Sequence, residues 1–296
     1  MAVINVDAGN SFYLSVKGVL FDRSQTSLLQ YPDALIGDYT IPEGVTEIVD
    51  SAFQDCWGLT AVTISASVSG IGDSSFQNCS NLTSITIPAT VTSIRGQAFF
   101  GCTGLTNIRI PGSITNVEDN EFNGCTSLTN VTILDGITSI WQQAFYGCTS
   151  LTSIRIPGSV TNIEEDALYY CLSLKSVYFT GNAPIADDSV FDYDNAATAY
   201  YLPGTKGWSS IFAGRPALLW NPLTQTDDVG FGVNSNQFGF TISGTPNIPV
   251  VVESSPNLSA PVWTQLQTVT LTNGLFHFNE PIQPNSLGRF YRLNFP

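Results

Sequence analysis

Apolar residues recur with a period of 23 residues over the first two thirds of the chain. Six cysteines mark the period, each 23 residues after the one before: Cys56, Cys79, Cys102, Cys125, Cys148 and Cys171. A leucine follows each cysteine by three residues, and apolar residues follow at the sixth and eighth positions, as Val62 and Ile64 follow Cys56. Apolar residues two apart predict a strand with one face turned inward. Every period is therefore expected to contain one such strand.

Further apolar columns complete each period. One is mainly aromatic and contains Phe76, Phe99, Phe122, Phe145 and Leu168. A fixed period of this length predicts a solenoid, because one coil cannot bury its apolar face without its neighbours. The register extends upstream, where Asp33 takes the cysteine position and Ile36 the leucine position. Six unbroken coils are thus predicted over residues 33–170, and a seventh loses the pattern after Phe179.

The repeat contains distinctive sequence motifs. It contains the segments LTSITIP (82–88), VTSI (91–94) and AFFGC (98–102). These resemble the BspA-like leucine-rich repeats of bacterial surface proteins, and VKGVLFD at 16–22 is similar to that family's inter-repeat insertion. The resemblance covers about residues 3–220. It implies a β-rich leucine-rich repeat solenoid and a role in attachment at the cell surface.

The end of the chain follows a different pattern. From Val229 onward there is no cysteine and no 23-residue period, and short alternating apolar runs appear at 238–242, 250–252, 263–271, 275–278 and 290–295. Short alternating runs separated by Gly, Pro and Asn predict a small antiparallel β-sandwich. Its ending, GRFYRL at 288–293, resembles C-terminal β modules of secreted bacterial proteins.

Three segments follow from these patterns. Residues 1–32 are predicted to hold a partial repeat and the insertion, residues 33–222 the solenoid with its C-terminal cap, and residues 223–296 a small all-β domain that begins with a polar link at 223–228. Ile4 and Val6 are typical of the end of a strand whose coil is missing. We therefore expect upstream repeats and an export signal before Met1 in the natural gene.

Composition narrows the possible partners and the location. The 296 residues include 24 acidic and 10 basic side chains, for a net charge of −14. Nucleic acid is excluded as a partner, because a phosphate backbone requires clustered Lys and Arg. No hydrophobic run is long enough to span a membrane. With the family resemblance, this predicts an extracellular or cell-surface monomer.

The cysteines allow two interpretations. Cysteines in adjacent coils would lie close enough for a disulfide, and six of them in an exported protein favour that chemistry. A uniform inward column instead favours small buried hydrophobes with free thiols. We predict free, buried thiols.

Catalytic and metal sites are weakly indicated. The single histidine, His277, alternates with phenylalanines on a predicted strand, and no nucleophile, phosphate-binding or dinucleotide motif is present. Carboxylates for a glycan-active enzyme could come only from Glu118, Asp119 and Glu121 or from an acidic loop. That loop is the one weak calcium candidate, with Asp187, Asp188, Asp192 and Asp194, but its spacing does not match an EF-hand. We predict a protein that is not an enzyme and has no cofactor and no metal.

Two surfaces are candidate binding sites. The outward positions of the predicted strands form a ligand-binding column: Thr63, Thr86, Arg109, Thr132, Arg155 and Tyr178. A candidate aromatic patch that could stack on sugar rings contains Phe100, Trp141, Tyr146 and Tyr169.

The preferred hypothesis is a non-catalytic, adhesin-like binding protein that recognises protein or glycan ligands on the strand surface. The alternative is a structural spacer whose ligand function lies elsewhere. Two minor alternatives are the glycan-active enzyme and an ice-binding surface built from regular threonine rows, such as the row through Thr60, Thr83 and Thr106.

Overall fold

The computed structural model describes residues 3–282 and 288–295, so the expectation concerning Met1 lies outside the described residues. The chain divides into two compact units. The first contains residues 1–199 and 205–217, and the second contains residues 200–204 and 218–296. Among the described residues, no helix has the length and apolar character needed to cross a membrane.

Each coil of the first unit contains one longer strand and one two-residue strand, and both kinds pair in parallel with their equivalents in neighbouring coils. The two ladders are each divided into separate sheets at one place, between Ser84–Thr86 and Asn107–Ile110 for the longer strands and between Ser93–Ile94 and Asn116–Val117 for the short ones. The longer strands are Gly37–Thr40, Leu59–Thr63, Ser84–Thr86, Asn107–Ile110, Asn130–Ile133, Ser153–Ile156 and Ser176–Phe179. The short strands are Glu47–Ile48, Gly70–Ile71, Ser93–Ile94, Asn116–Val117, Ser139–Ile140, Asn162–Ile163 and Ile185–Ala186. Val62 pairs with Ile85 and Ile108 with Val131. The predicted β-rich solenoid and its 23-residue register are therefore confirmed.

The interior follows the predicted apolar columns with one exception. The cysteines, the leucines after them and the phenylalanine column are all fully buried. Ile36 is instead 84% exposed, so its placement in the leucine column is wrong. The pairing of the first longer strand shifts between Gly37 and Asp38. The extra residue, Thr60, belongs to the neighbouring strand, so Gly37 rather than Ile36 stands opposite Leu59.

Both ends of the first unit depart from the repeat. The strands Tyr13–Val16, Val19–Asp22 and Ser27–Gln30 form an antiparallel meander, whose last strand pairs in parallel with Glu47–Ile48. Ile4 lies in no strand, although its amide donates to the Gly18 carbonyl, so the strand end predicted there is wrong. At the other end come a short 3-10 helix, Asp188–Phe191, and the strands Thr198–Tyr201, Ile211–Phe212 and Arg215–Leu219.

A stack of phenylalanine rings runs through the solenoid interior. The rings of Phe53, Phe76, Phe99, Phe122 and Phe145 follow one another with centroids 4.7–5.4 Å apart and planes within 13° of parallel. Each ring belongs to one coil, so the spacing is equal to or slightly larger than the separation of paired strands, about 4.7–4.9 Å. The column therefore packs as one continuous aromatic core.

The cysteine column lies beside this stack. All six thiols are buried and free. The Sγ of Cys79 donates to the carbonyl of Phe53 at 3.1 Å, and the same bond to the phenylalanine 26 residues earlier recurs in the next four coils. Burial raises the pKa of Cys125 to about 12 and that of Cys56 to about 12. Five of the thiols thus fill space and donate to a phenylalanine carbonyl that also accepts from a cysteine amide.

We expect native protein to resist alkylation by iodoacetamide, because the thiolate is the reactive species and these thiols are buried and protonated. In denaturant without reductant, mass spectrometry should show six modified cysteines. Fewer than six in denaturant would demonstrate disulfides, and rapid modification of the native protein would contradict the burial.

The second unit contains two antiparallel sheets. One sheet contains Leu223–Gln225, Gly232–Asn234, Gln237–Ser243 and Leu275–Pro281, and the other contains Pro249–Ser255, Thr264–Thr270 and Phe290–Asn294. Phe240, Val250 and Val252 are among its buried residues. All five predicted apolar runs form strands, whereas the start of the predicted polar link is itself the strand Leu223–Gln225, paired with Gln237–Ser243.

Candidate functional site

The outward side of the longer strands, called the strand face below, presents most of the predicted ligand-binding column. Thr63, Thr86, Arg109 and Arg155 are exposed, and Thr132 is half-buried. Thr132 pairs in register with Arg109 on one side and with Arg155 on the other. Strands in a sheet lie about 4.8 Å apart, so the two arginines are separated by about 10 Å along the column. The structure therefore places two guanidinium groups on one weakly charged surface.

Tyr178, the last member of the predicted column, is not on this surface. It pairs with Arg155 in register but is only 2% exposed. Its strand is the last of the repeat series, and the strand beside it, Thr198–Tyr201, belongs to the closing segment. The outward position is therefore buried at the point where the repeat series ends. The prediction of Tyr178 as an exposed ligand residue is wrong.

The threonine rows have a structural role. The hydroxyl groups of Thr83, Thr106 and Thr129 each donate to the backbone carbonyl one coil earlier, at 3.0–3.3 Å. The row through Thr138 and Thr161 makes the same bonds. These hydroxyl groups donate hydrogen bonds between coils. This structural role explains the threonine rows without an ice-binding function.

The structure contains only part of the predicted aromatic patch: two of its four predicted residues stack on each other. Tyr146 and Tyr169 stack with centroids 4.9 Å apart and planes 5° from parallel. Phe100 lies in the same column but is separated from Tyr146 by Asn123, which stands in the coil between them. Trp141 follows the short strand Ser139–Ile140 and has no ring contact with the tyrosines among the described residues. Phe100 and Trp141 are therefore not part of one patch with the tyrosines.

Two further tyrosines complete the patch: Tyr170, which the sequence places near it, and Tyr193, which sequence analysis did not assign to it. The Tyr193 ring lies 5.1 Å from Tyr169 and 6.1 Å from Tyr170, and Tyr169 and Tyr170 are 6.5 Å apart. Tyr170 and Tyr193 are 23 residues apart, at the position before the cysteine in the repeat. This spacing could have revealed the pair. Tyr146, Tyr169, Tyr170 and Tyr193 are called the tyrosine cluster below.

The four aspartates of the acidic loop have separate surroundings. The Asp187 carboxylate accepts from the Ser189 amide and caps the 3-10 helix. Asp194 is buried, and burial raises its pKa to about 7, against the opposing effects of a backbone hydrogen bond and the charge of Arg215. Asp188 and Asp192 are exposed. No group of three or more His, Cys, Asp or Glu side chains suited to a metal ion occurs among the described residues, so the calcium candidate has no converging ligands.

The residues considered as catalytic candidates have separate surroundings. Glu121 is fully buried, which removes it as a carboxylate for a sugar substrate. His277 is exposed on the strand Leu275–Pro281, as expected, with Nδ1 3.3 Å from the Thr241 hydroxyl. It borders an open cavity of about 300 Å³ in the second unit, with Asn234 and Asn279 among the lining residues.

Comparison with known proteins agrees with this architecture. A family model described as the BspA type leucine-rich repeat region matches residues 33–122 and 69–198, in six copies. The matched residues make up more than half of the chain. No protein with a curated functional description matches the chain.

Several solved structures are similar to the chain. A leucine-rich repeat protein from Eubacterium ventriosum is 27% identical with a TM-score of 0.61, over 67% of this chain and 53% of that one. A leucine-rich cell surface protein from Faecalibacterium prausnitzii is 27% identical with a TM-score of 0.51, over 69% and 64%. The chain spans less than two thirds of the length of either protein. The pneumococcal vaccine antigen PcpA, 17% identical with a TM-score of 0.50 over 74% and 50%, shares the fold.

Proposed function

Because the chain belongs to the BspA-type leucine-rich repeat family, we propose that it is a non-catalytic, adhesin-like protein of the bacterial surface that binds a protein ligand on its strand face. The similar protein from Faecalibacterium prausnitzii is described as a cell surface protein, which supports display outside the cell. Binding of a protein requires an extended surface rather than a cavity, and the stacked repeats of a solenoid provide such a surface.

One observation carries the proposal: Arg109 and Arg155 flank Thr132 on three successive strands of the exposed face. The chain has ten basic residues and a net charge of −14, so a local pair of arginines is unusual for its composition. Arginine is enriched among residues that dominate binding energy in protein interfaces. A planar guanidinium also pairs with a carboxylate through two hydrogen bonds. The ligand is therefore expected to present acidic groups toward this pair.

The double substitution Arg109→Ala/Arg155→Ala should weaken binding to the preferred protein of an immobilised panel of extracellular-matrix and plasma proteins by at least about tenfold. Surface plasmon resonance measures the loss, and binding by the unaltered chain should weaken as salt rises. The matched control is Arg95→Ala, which removes an exposed arginine beside the short strand Ser93–Ile94. Equal losses in both variants would show a general charge effect.

A spacer predicts a different outcome. If no panel protein binds the unaltered chain at high micromolar concentration, the proposed function is wrong and the structural alternative is favoured. If a protein binds and the double variant binds it equally well, the strand face is not its site.

A further inference from the structure

The tyrosine cluster forms a continuous aromatic surface on the first unit. Tyr146 and Tyr169 stack face to face, and Tyr193 leans at 57° against Tyr169 and at 63° against Tyr170. Tyr170 is 42% exposed and Tyr193 is 59% exposed. The buried phenylalanine column already supplies the aromatic core of these coils. The tyrosines therefore add little interior packing and leave aromatic surface in water.

The backbone at two of these tyrosines is unfavourable for a large side chain. The residue before the cysteine position has a left-handed conformation at seven successive repeats from Asp55 onward, and at five of them it is Asp55, Asn78, Gly101, Gly124 or Gly147, with φ between 58° and 73°. These residue types tolerate positive φ, whereas a bulky residue there is an outlier. Tyr170 has φ 61° and Tyr193 has φ 69°. Strained backbone of this kind concentrates at functional sites.

The chemistry around the rings restricts the ligand. The pKa of Tyr169 is raised to about 12, first by burial and then by a hydrogen bond with Tyr193, with smaller effects from the charges of Tyr193, Tyr146 and Asp166. The Tyr169 amide donates to the Asp166 carbonyl at 3.0 Å, and the exposed Asp192 adjoins Tyr193 in sequence. Negative charges beside the cluster disfavour sialylated, uronic or phosphorylated ligands. Carboxylate and phenol oxygens are suitable partners for sugar hydroxyls.

The arrangement of the rings also argues against a bound cation. An aromatic cage surrounds an ammonium group with faces that lie apart. Here the rings contact one another, with centroids 4.9–6.5 Å apart, so no gap for a cation separates them. An apolar ring surface bordered by oxygens matches a sugar, which has apolar C–H faces and a rim of hydroxyls.

We propose that the tyrosine cluster is a binding site for a neutral oligosaccharide, separate from the strand face. The C–H faces of adjoining sugar units stack on the exposed rings of Tyr170 and Tyr193. Their hydroxyls bond to the phenol groups and to Asp166. The chain then binds two classes of ligand, protein on one surface and glycan on another.

The test uses substitutions by the residue type that other coils carry at the same position. The full chain is applied to an array of neutral hexasaccharides derived from glucan, mannan, xylan and chitin, with sialyllactose, phosphocholine and polylysine as charged probes. The unaltered chain should bind at least one neutral glycan. Tyr170→Gly and Tyr193→Gly should each reduce that binding at least tenfold, while the melting temperature stays the same or rises because glycine relieves the left-handed strain.

Two control variants show whether glycan binding depends on the tyrosine cluster itself. Phe100→Asn changes an aromatic residue of the Tyr146 column outside the cluster, and should leave glycan binding intact. Arg109→Ala/Arg155→Ala should also retain it, so failure of the strand-face proposal and failure of this one are distinguishable. The inference is overturned if no neutral glycan binds, if only the charged probes bind, or if both glycine variants bind like the unaltered chain.

Discussion

Replacing Phe99 with alanine should lower the free energy of unfolding by about 3–5 kcal/mol, the usual loss when a buried phenylalanine is truncated. Phe99 is the middle ring of the stack and is fully buried. Its centroid lies 5.4 Å from that of Phe76 and 5.3 Å from that of Phe122. The substitution removes ring contacts on both sides and leaves a cavity that two coils would have to close.

Urea unfolding followed by circular dichroism measures this loss. Phe99→Leu is the matched control, because Leu168 occupies the same column two coils beyond Phe122 and is fully buried. A leucine keeps apolar volume, so its cost should be clearly smaller. Repeat proteins are stabilised by contacts between neighbouring coils, and the alanine variant should therefore also unfold less cooperatively. A loss of unfolding free energy of less than about 1 kcal/mol would show that the phenylalanine stack contributes little to the stability of the interior.

The substitution Glu121→Ala should stabilise the protein at neutral pH, by on the order of 1–3 kcal/mol. Glu121 stands in an interior column whose equivalent residues in the adjacent coils are Ala98 and Ala144, and it is fully buried. One carboxyl oxygen accepts from the Glu118 amide at 2.9 Å, but Oε1 has no partner among the described residues. Removing the side chain loses the hydrogen bond from the Glu118 amide, but it also removes the buried Oε1 atom that has no hydrogen-bond partner.

The stabilisation should depend on pH. Burial raises the pKa of Glu121 well above its ordinary value of 4.5; the hydrogen bond from the Glu118 amide opposes the shift, and the Glu118 charge adds to it. Above 4.5 the folded chain therefore holds a proton that the unfolded chain releases, and stability falls as pH rises through the raised pKa. The advantage of the alanine variant should thus be larger at about pH 7.5 than at about pH 4.

Thermal unfolding at the two pH values tests both parts of this prediction. Glu165→Ala removes an exposed glutamate from the same unit and should show neither the stabilisation nor the pH-dependent difference. If Glu121→Ala destabilises the protein at both pH values, the carboxyl group is better accommodated than its unpaired oxygen indicates.

The columns show which parts of this fold can be predicted from the sequence. Repetition supplies several independent observations of each position, so Cys79, Phe99 and Ile108 are each supported by equivalents in other coils. The left-handed position before the cysteine is also readable, because Asp55, Asn78 and the glycines after them are the residue types that tolerate it. Glu121 could have been recognised as buried from its alanine neighbours in the column.

Positions without a periodic equivalent could not be predicted in this way. Tyr178 satisfies the outward pattern of its strand, yet it is buried where the 23-residue period ends, so equivalent positions in other coils do not indicate its burial. Ile36 satisfies the spacing, but a one-residue register shift at the first coil places Gly37 opposite Leu59. The tyrosine cluster also required coordinates, because Tyr146 and Tyr193 come from coils two apart and meet only through Tyr169.

The uniform register between coils also has a consequence for the gene. Backbone pairs such as Arg109 with Thr132 and hydroxyl bonds such as Thr129 to the Thr106 carbonyl all join residues 23 apart. An in-frame recombination event that duplicates or deletes one whole repeat preserves these partners. Insertion of a single codon instead shifts the residues of one coil out of register with those of its neighbour. A change in the number of coils is therefore compatible with the pairing between coils, and the area offered to ligands changes with it.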